Sequence, residues 1–193
     1  MAATQPIRDK QQIKELMDFY LRKGQIRNYV LVTFGIHAAL RISDLLSLRW
    51  DDVYDFDRRK VRSCIHIIEQ KTKKPKTIAL GKAIVRALTL CAATAAAKGK
   101  VIIENKRTGR AISRVQAYRL IRAASEALGF VERVSCHSLR KTSGYHAWKS
   151  GVSPVVIMDI YNHTSLTVTQ RYLGMTQDDR NEVYLGLDLS AYG

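Results

Sequence analysis

The 193-residue sequence has few cysteines and no long apolar run. Its three cysteines, Cys64, Cys91 and Cys136, are odd in number and show no Cys-x-x-Cys spacing, which argues against a disulfide framework and against a zinc ribbon. The N-terminus has no apolar stretch after a basic start, and no segment reaches the length of a membrane span. We therefore expect a protein that is neither exported nor held in a membrane, and that works in a reducing cytoplasm.

Acidic residues are scarce beside basic ones. There are 17 Asp and Glu against 32 Lys and Arg, which gives a formal net charge of +15. A chain this basic most often binds a polyanion, and nucleic acid is the first candidate. Charge alone also allows a solvated surface or attraction to an acidic membrane. The 46% apolar content is enough for the core of one ordinary domain or of a small domain pair.

The chain lacks internal repeats, low-complexity tracts and Pro/Gly/Ser linkers, so one domain is the simplest division. Apolar periodicity and capping residues predict helices over most of its length. We place them from a cap at Asp9 to Gly24, then over 26–39, from 43, over 81–97, 113–129, 137–151 and 153–161, around Tyr172, and over 178–187. Alternation over 61–67 and 77–80 predicts an antiparallel pair, and 101–103 a short strand before a basic loop over 105–110. The expected fold class is mostly α with a small antiparallel β-sheet (α+β).

Two arginines stand out because of what a phosphodiester demands of a catalyst. Negative charge grows on its nonbridging oxygens as a fifth oxygen approaches phosphorus, so fixed cationic donors must be aimed there. A guanidinium stays charged and can bind two oxygens at once, which makes Arg41 and Arg140 candidates for clamping a phosphate from two sides. Taken singly, an arginine in so basic a chain is usually a solvated or salt-bridging side chain, so each one alone is weak evidence.

A tyrosine and two histidines extend this set. His137 lies three residues before Arg140, so on a helical turn both side chains project to one side. His163 follows Asn162 at a predicted helix end, where asparagine can take a left-handed backbone. Tyr172 could attack a phosphate and form a phosphotyrosine ester, which preserves the bond energy for rejoining. The departing deoxyribose oxygen would then need a proton from a general acid.

The basic turn between the two predicted strands could supply that proton. Lys71 is our candidate among its lysines, although contact with DNA phosphates is an equally good interpretation for any one of them. The other lysines predicted to bind DNA are Lys73, Lys74, Lys76 and Lys141.

A metal site is the competing interpretation for the C-terminal part. His137, His146 and His163 could serve as ligands there. Few carboxylates lie near them, however, and no His-Glu-x-x-His spacing is present. An arginine pair can neutralise the phosphate instead, so we expect no metal and no cofactor.

In their order along the chain, these motifs resemble the tyrosine recombinase family, also called phage-integrase-like site-specific recombinases. Ala39-Leu40-Arg41-Ile42-Ser43-Asp44 is similar to the family's first arginine box, with its acidic residue three positions after the arginine. Lys71-Thr72 followed by Thr77-Ile78-Ala79-Leu80-Gly81 is similar to the hairpin that carries its catalytic lysine. His137-Ser138-Leu139-Arg140 fits the His-x-x-Arg box, and His163 with Tyr172 nine residues later reproduces the His-to-Tyr interval. The likeness covers about residues 8 to 187 and the family's catalytic domain alone.

The resemblance implies an enzyme that breaks and rejoins double-stranded DNA through a 3′-phosphotyrosyl link, without metal. It implies that Tyr172 is the nucleophile and that the scissile phosphate is surrounded by Arg41, Lys71, His137, Arg140 and His163. Asp44 would orient nearby donors, although a helix cap or first-turn acid would look the same in sequence. It also implies a homo-oligomer on DNA, in a tetrameric synapse.

Two departures from the family pattern affect these expectations. Tyr161-Asn162-His163 stands where the family commonly has Leu-Gly-His; asparagine tolerates the same backbone region, so we expect the geometry to survive. No N-terminal core-binding domain is recognisable, so we expect a tail over 1–7 and a catalytic domain over 8–193. A truncated chain or a compact family member would explain this, and the immediate first helix favours the compact member.

Two other functions stay open at this point. One is a DNA-binding accessory protein that kept the fold and lost turnover, and the other is a type IB topoisomerase, which relaxes DNA without pairing sites. Assembly without DNA is open as well. The apolar residues that either pack on the same chain or insert into a neighbouring protomer are Val183, Leu185, Leu187 and Leu189.

Overall fold

The computed structural model describes residues 4–95 and 97–187. This part of the chain forms ten helices and three two-stranded antiparallel sheets. The helices are α1 (Lys10–Arg22), α2 (Ile26–His37), α3 (Ile42–Ser47), α4 (Trp50–Val53), α5 (Lys82–Ala95), α6 (Arg114–Ala127), α7 (Cys136–Lys149), α8 (Pro154–Ile160), α9 (Leu166–Leu173) and α10 (Gln177–Gly186). The strands are β1 (Tyr54–Asp55), β2 (Lys60–Val61), β3 (Cys64–Ile68), β4 (Pro75–Ala79), β5 (Glu104–Asn105) and β6 (Arg110–Ala111). The predicted mostly α fold is confirmed.

Helix α2 lies at the centre of the main core. All residues from Asn28 to Ile36 are buried, as expected for a helix that is largely apolar on every side. Helices α1, α5 and α7 pack around it, and α6 contacts α1, α2, α3 and α7. Within the described residues, no helix is both long and apolar enough to cross a membrane.

Several helices start close to the predicted positions, and a side chain caps each of these starts. The carboxylate of Asp9 accepts from the Gln11 amide, Ser113 caps α6 and Ser153 caps α8. Helix α7 begins one residue before His137, because Ser135 caps it with its hydroxyl. At the end of α8, Asn162 has a φ of 52°, which confirms the predicted left-handed backbone.

The strands differ from the prediction in two places. Val61 does not extend the main hairpin; it pairs with Tyr54 in the separate β1–β2 sheet. The segment 101–103 is not a strand, since Val101 makes a single bridge to Arg49 and the β5–β6 hairpin starts at Glu104. Apolar alternation finds buried extended chain but does not tell whether a partner strand lies beside it.

A second, smaller core supports the C-terminal third. It consists of Ala39, Ile157, Tyr161 and Leu173. The N-terminal segment contacts α7, because Ile7, which is buried in the main core, donates its amide to Thr142 Oγ1 at 2.9 Å.

Helix α10 buries none of its residues in the described part of the chain. Val183, Leu185 and Leu187 are all more than half exposed, so their packing on the same chain is not observed. Leu189 lies outside the described residues. Lys149 connects α10 to α7 through ion pairs with Asp179 at 2.8 Å and Glu182 at 3.1 Å.

We expect Gly144→Ala to destabilise this smaller core. A Cβ at Gly144 would lie 2.5 Å from the Tyr161 hydroxyl oxygen, and the fully buried Tyr161 has no room to retreat. Overpacking of this kind costs about 1–3 kcal/mol, which urea unfolding would measure. Gly186→Ala is the matched control, since nothing lies within 4 Å of its added methyl group. Equal stability of the two variants would contradict the prediction.

Candidate active site

A cleft of about 900 Å³ opens between the start of α3, the β3–β4 turn, the start of α6, and helices α7 and α9. All six predicted catalytic residues line it, namely Arg41, Lys71, His137, Arg140, His163 and Tyr172. Among the described residues that line the cleft, none is acidic. The fold thus gathers side chains from opposite halves of the chain around one cationic space.

The two arginines converge on a single carbonyl group. Arg140 Nη2 donates to the Tyr161 carbonyl at 3.1 Å, and Arg41 Nη2 reaches the same oxygen at 3.5 Å. Arg140 also donates to the Ala39 carbonyl and is only 2% exposed. Ala39, with a φ of 51°, ends the turn after α2 that brings Arg41 beside Arg140. Both guanidinium groups are therefore held in place before any substrate arrives.

Tyr172 lies against both predicted catalytic histidines. Its hydroxyl oxygen is 2.9 Å from His137 Nδ1, and its ring contacts the His163 ring edge-on at 4.8 Å between centroids. Helix α9, which carries Tyr172, is capped by Ser165 and ends at Gly174 with a φ of 67°. His163 Nδ1 lies 3.0 Å from Thr169 Oγ1 on the same helix. The tyrosine thus reaches the cleft within one chain.

Burial and positive charge keep both histidines neutral. Burial, followed by the charge of Lys141 and Arg140, lowers the pKa of His137 to about 4. Burial, followed by the charge of Arg140 and Arg41, likewise lowers the pKa of His163 to about 4. Burial raises the pKa of the Tyr172 hydroxyl, and the charge of Arg140 offsets part of that rise. A neutral His137 is therefore available to accept a proton from Tyr172.

The lysines of the β3–β4 turn separate into two groups. Lys71, Lys73 and Lys74 are exposed, and Lys71 lines the cleft. The side chain of Lys76 is only 9% exposed, and its Nζ lies 3.8 Å from Glu69 Oε1. Burial lowers the pKa of Lys76 to about 8. The placement of Lys76 therefore does not support the predicted contact with DNA.

Lys141 is also buried, at 7% exposure. Its ammonium group donates to the Thr4 carbonyl at 2.7 Å and to the Arg171 carbonyl at 3.4 Å. These bonds join the N-terminal segment to helix α9. The placement of Lys141 thus gives no support to the predicted DNA contact, because the lysine is already engaged by the protein.

Asp44 connects two parts of the site. It is 2% exposed, and its Oδ1 accepts from the Gln70 amide at 2.9 Å. Gln70 immediately precedes Lys71, so the carboxylate anchors the turn that presents the lysine. No side chain caps the start of α3. Asp44 is also the acidic residue in the first turn of α3, so its geometry fits both that role and the orientation of the lysine turn.

Sequence reasoning missed two residues of the site. Glu69 is fully buried, and its Oε2 lies 2.6 Å from Arg41 Nη1. The signal for it was present, since Glu69 continues the inward-facing positions of β3 that Ile65 and Ile67 occupy. Arg114 lines the cleft at the first position of α6, directly after the capping Ser113. A cation at a capped helix start is a natural phosphate contact.

The described residues contain no group of three His, Cys, Asp or Glu side chains placed to hold a metal ion. His146, which the metal hypothesis grouped with His137 and His163, instead has its Nε2 3.0 Å from the Ile7 carbonyl. The hypothesis of a three-histidine site therefore has no geometric support in this region.

Comparison with known proteins identifies the family of this chain. A sequence model of the Phage integrase family matches residues 8–178. The chain belongs to this family. The match includes every predicted catalytic residue from Arg41 to Tyr172, and the predicted identity as a tyrosine recombinase catalytic domain is confirmed.

This phage integrase family member is similar in sequence to a named relative and in fold to solved structures. The chain is 35% identical over 184 residues to the probable integrase/recombinase YoeC of Bacillus subtilis (strain 168), covering 95% of this chain and 97% of the relative. Its fold is similar to that of XerA recombinase, with a TM-score of 0.76, 20% identity, and coverage of 96% of this chain and 65% of the other. A lambda integrase dimer bound to a COC′ core site gives a TM-score of 0.70 and 18% identity, over 93% and 50% of the two chains. The family member thus spans between half and two thirds of these two structures.

We expect the stability of the folded chain to fall in mild acid. The pKa values of His137 and His163 are about 4 in the folded chain, against 6.5 for a free imidazole. Between these values the unfolded chain binds more protons, so the free energy of unfolding drops as the pH falls from about 6.5 to about 4. Urea unfolding at several pH values would measure this slope.

Replacement of both histidines by glutamine should flatten that slope. His66→Gln is the control, because His66 lies on the exposed surface of the β3–β4 hairpin. A slope unchanged by the double replacement would contradict the prediction.

Proposed function

We propose that this chain is a site-specific DNA recombinase that breaks and rejoins DNA through a 3′-phosphotyrosyl intermediate, without metal. The observation that carries the proposal is the 2.9 Å approach of the Tyr172 hydroxyl to His137 Nδ1, in a cleft where two guanidinium groups meet. Tyr172 is the nucleophile, and His137 takes its proton. A nucleophile beside a base, with fixed cations next to both, is the equipment that phosphoryl transfer needs.

The reaction forms one bond and breaks one. Tyr172 Oη attacks phosphorus as its proton passes to His137 Nδ1, and the bond from phosphorus to the 5′ oxygen breaks. Lys71 donates a proton to that departing oxygen, which leaves as a free 5′ hydroxyl. Rejoining is the reverse reaction, with the 5′ hydroxyl of a partner strand as the attacking group.

The remaining site residues stabilise the charge that develops. Arg41 and Arg140 bind the nonbridging oxygens, on which negative charge grows in the transition state. His163 Nδ1 lies 3.0 Å from the Thr169 hydroxyl oxygen, and in the tautomer with its proton on Nε2 the imidazole donates from Nε2 to the same phosphate. Asp44 holds the turn that carries Lys71 in place by accepting a hydrogen bond from the Gln70 amide.

Double-stranded DNA is the proposed partner. The lambda integrase structure of the same fold is bound to a core site, and the +15 net charge of this chain suits a polyanion. Lys73, Lys74 and Arg114 are the proposed phosphate contacts around the cleft. The localisation consistent with this partner is the cytoplasm.

We further propose that the protein acts as a homo-oligomer on DNA, in a tetrameric synapse. The exposed apolar side chains of α10 support a contact with a neighbouring protomer, since they find no partner within the described residues. The proposed unit is one catalytic domain over residues 8–193 behind a short tail over 1–7.

We expect Tyr172→Phe to abolish covalent chemistry while DNA binding stays intact. The wild-type protein should form an adduct that resists denaturation on a nicked suicide DNA substrate, and the variant should form none, because phenylalanine has no nucleophilic oxygen. Gel electrophoresis under denaturing conditions measures the adduct, and mobility shift measures binding. Tyr184→Phe is the control, since Tyr184 is 76% exposed on α10.

Two outcomes would favour the other functions. A wild-type protein that shifts DNA without ever forming an adduct would be an accessory protein. Rapid relaxation of a supercoiled plasmid that lacks a recombination site would indicate a type IB topoisomerase.

We expect DNA affinity to fall steeply with salt, because Lys and Arg contacts release counterions from the duplex. Replacement of both Lys73 and Lys74 by alanine should weaken binding and reduce the slope of log affinity against log salt by about 1–2. Lys10→Ala is the control, since Lys10 belongs to α1, which contributes no described residue to the cleft lining. Titration of labelled DNA at several salt concentrations measures the slope, and a flat response would contradict phosphate contact.

A further inference from the structure

One buried carboxylate contacts three separate parts of the candidate site. Glu69 is 0% exposed, and its Oε2 has three close donors. Arg41 Nη1 lies at 2.6 Å, Thr72 Oγ1 donates at 2.6 Å, and Asn162 Nδ2 donates at 3.0 Å. These donors belong to the arginine box, to the lysine turn and to the corner before His163. The three elements are distant in sequence, and Glu69 is a single point where they meet.

The charge of this carboxylate is maintained by its neighbours. Burial alone raises the pKa of a carboxyl group, yet the hydrogen bonds from Thr72 and Asn162 and the charge of Arg41 together hold the Glu69 pKa below its usual value. A buried ionised carboxylate is costly to leave without partners. Its contacts with the three elements are therefore strongly coupled to one another.

Each of the three donors to Glu69 Oε2 is a proposed catalytic group or lies one residue from one. Arg41 is itself such a group. Thr72 follows Lys71, and its hydroxyl fixes the turn at the point from which the lysine extends. Asn162 precedes His163, and its amide fixes the corner at which the imidazole enters the cleft. A shift of any of these elements by about 1 Å would misalign the reacting groups.

One of the three contacts of Glu69 depends on the side chain of Asn162. Its side-chain amide bonds to Glu69, and its φ of 52° lies in the region that glycine also adopts freely. A glycine at this position would keep the backbone and lose the bond. The asparagine therefore adds a connection between His163 and the lysine turn that a glycine would not provide.

We propose that Glu69 is a positioning residue that holds Arg41, the Lys71 turn and the Asn162–His163 corner in one catalytic arrangement, with Thr72 and Asn162 as its two side-chain links. This role rests on the proposed function and adds a residue to it. Glu69 does not line the cleft, so it acts through its partners and does not touch the substrate.

Glu69→Gln tests the central claim. The amide keeps the size of the side chain and removes the charge that holds Arg41. At saturating suicide DNA, with the variant shown to be folded by circular dichroism, adduct formation should slow about 100-fold. Glu132→Gln is the control, since Glu132 is exposed and outside the cleft lining.

Two further variants separate the links. Thr72→Val removes the hydrogen bond from the Thr72 hydroxyl to Glu69, on the Lys71 side. Asn162→Gly removes the hydrogen bond from the Asn162 side-chain amide to Glu69, on the His163 side. Each variant should slow adduct formation about 10-fold, since a hydrogen bond to a charged group is worth about 1.4 kcal/mol or more. A DNA substrate whose bridging 5′ oxygen is replaced by sulfur then distinguishes them. A thiolate leaves without a proton donor, so this substrate should restore the rate of adduct formation by Lys71→Ala and by Thr72→Val, and leave Asn162→Gly slow.

The possible outcomes separate this proposal from the proposed function. If the wild-type protein forms the adduct and Glu69→Gln forms it at the same rate, the positioning role is wrong and the recombinase function stands. If the sulfur substrate restores the rate of adduct formation equally in Thr72→Val and Asn162→Gly, the proposed division into two links is also wrong. If the wild-type protein forms no adduct on any suicide substrate, the proposed function itself fails.

Discussion

The site depends on holding two guanidinium groups close together in a partly dehydrated space. Arg41 and Arg140 share the carbonyl of Tyr161, and two like charges at that separation repel each other more strongly than they would in water. A carbonyl dipole offsets part of the repulsion, and the full charge of Glu69 beside Arg41 offsets more of it. Without such partners, one of the two side chains would turn out toward solvent, and the phosphate would meet a single cation.

Tyr161 connects this electrostatic requirement to packing. Its carbonyl receives both arginines, its hydroxyl donates to the Arg140 carbonyl at 2.6 Å, and its ring lies 4.5 Å from the Arg140 guanidinium carbon. Because Gly144 has no side chain, the ring can approach α7 closely. The substitution of tyrosine for the leucine common in the family thus gives this position hydrogen bonds as well as apolar area. Arg140, His163 and Tyr172 all lie against the Tyr161 ring, so one residue of the smaller core contacts three groups of the site.

Much of the site could be predicted because several of its residues lie close together in the sequence, where local rules set their relative positions. The His137–Arg140 pair lies on one helical turn, and the position of Asn162 at a helix end requires a left-handed backbone, so local rules suffice for both. The burial of Lys76 and Lys141 could not be predicted, because a buried lysine and a surface lysine look alike in sequence. The alternation of β3 marks Glu69 as inward-facing, but its role could not be predicted, because its partners Arg41 and Asn162 lie 28 residues before it and 93 residues after it and only the fold brings them together.

The lowered pKa values of Lys76, His137 and His163 have their causes in common. Burial is the largest cause in each case, and the positive charges of Arg140 and Arg41 lower all three pKa values further. Arg41 has an ion pair with Glu69, whereas the hydrogen-bond partners of Arg140 among the described residues are carbonyl groups. A bound phosphodiester would bring the negative charge that Arg140 lacks. The charge of Arg140, which helps to keep His137 neutral and thus able to accept the tyrosine proton, therefore also attracts the substrate.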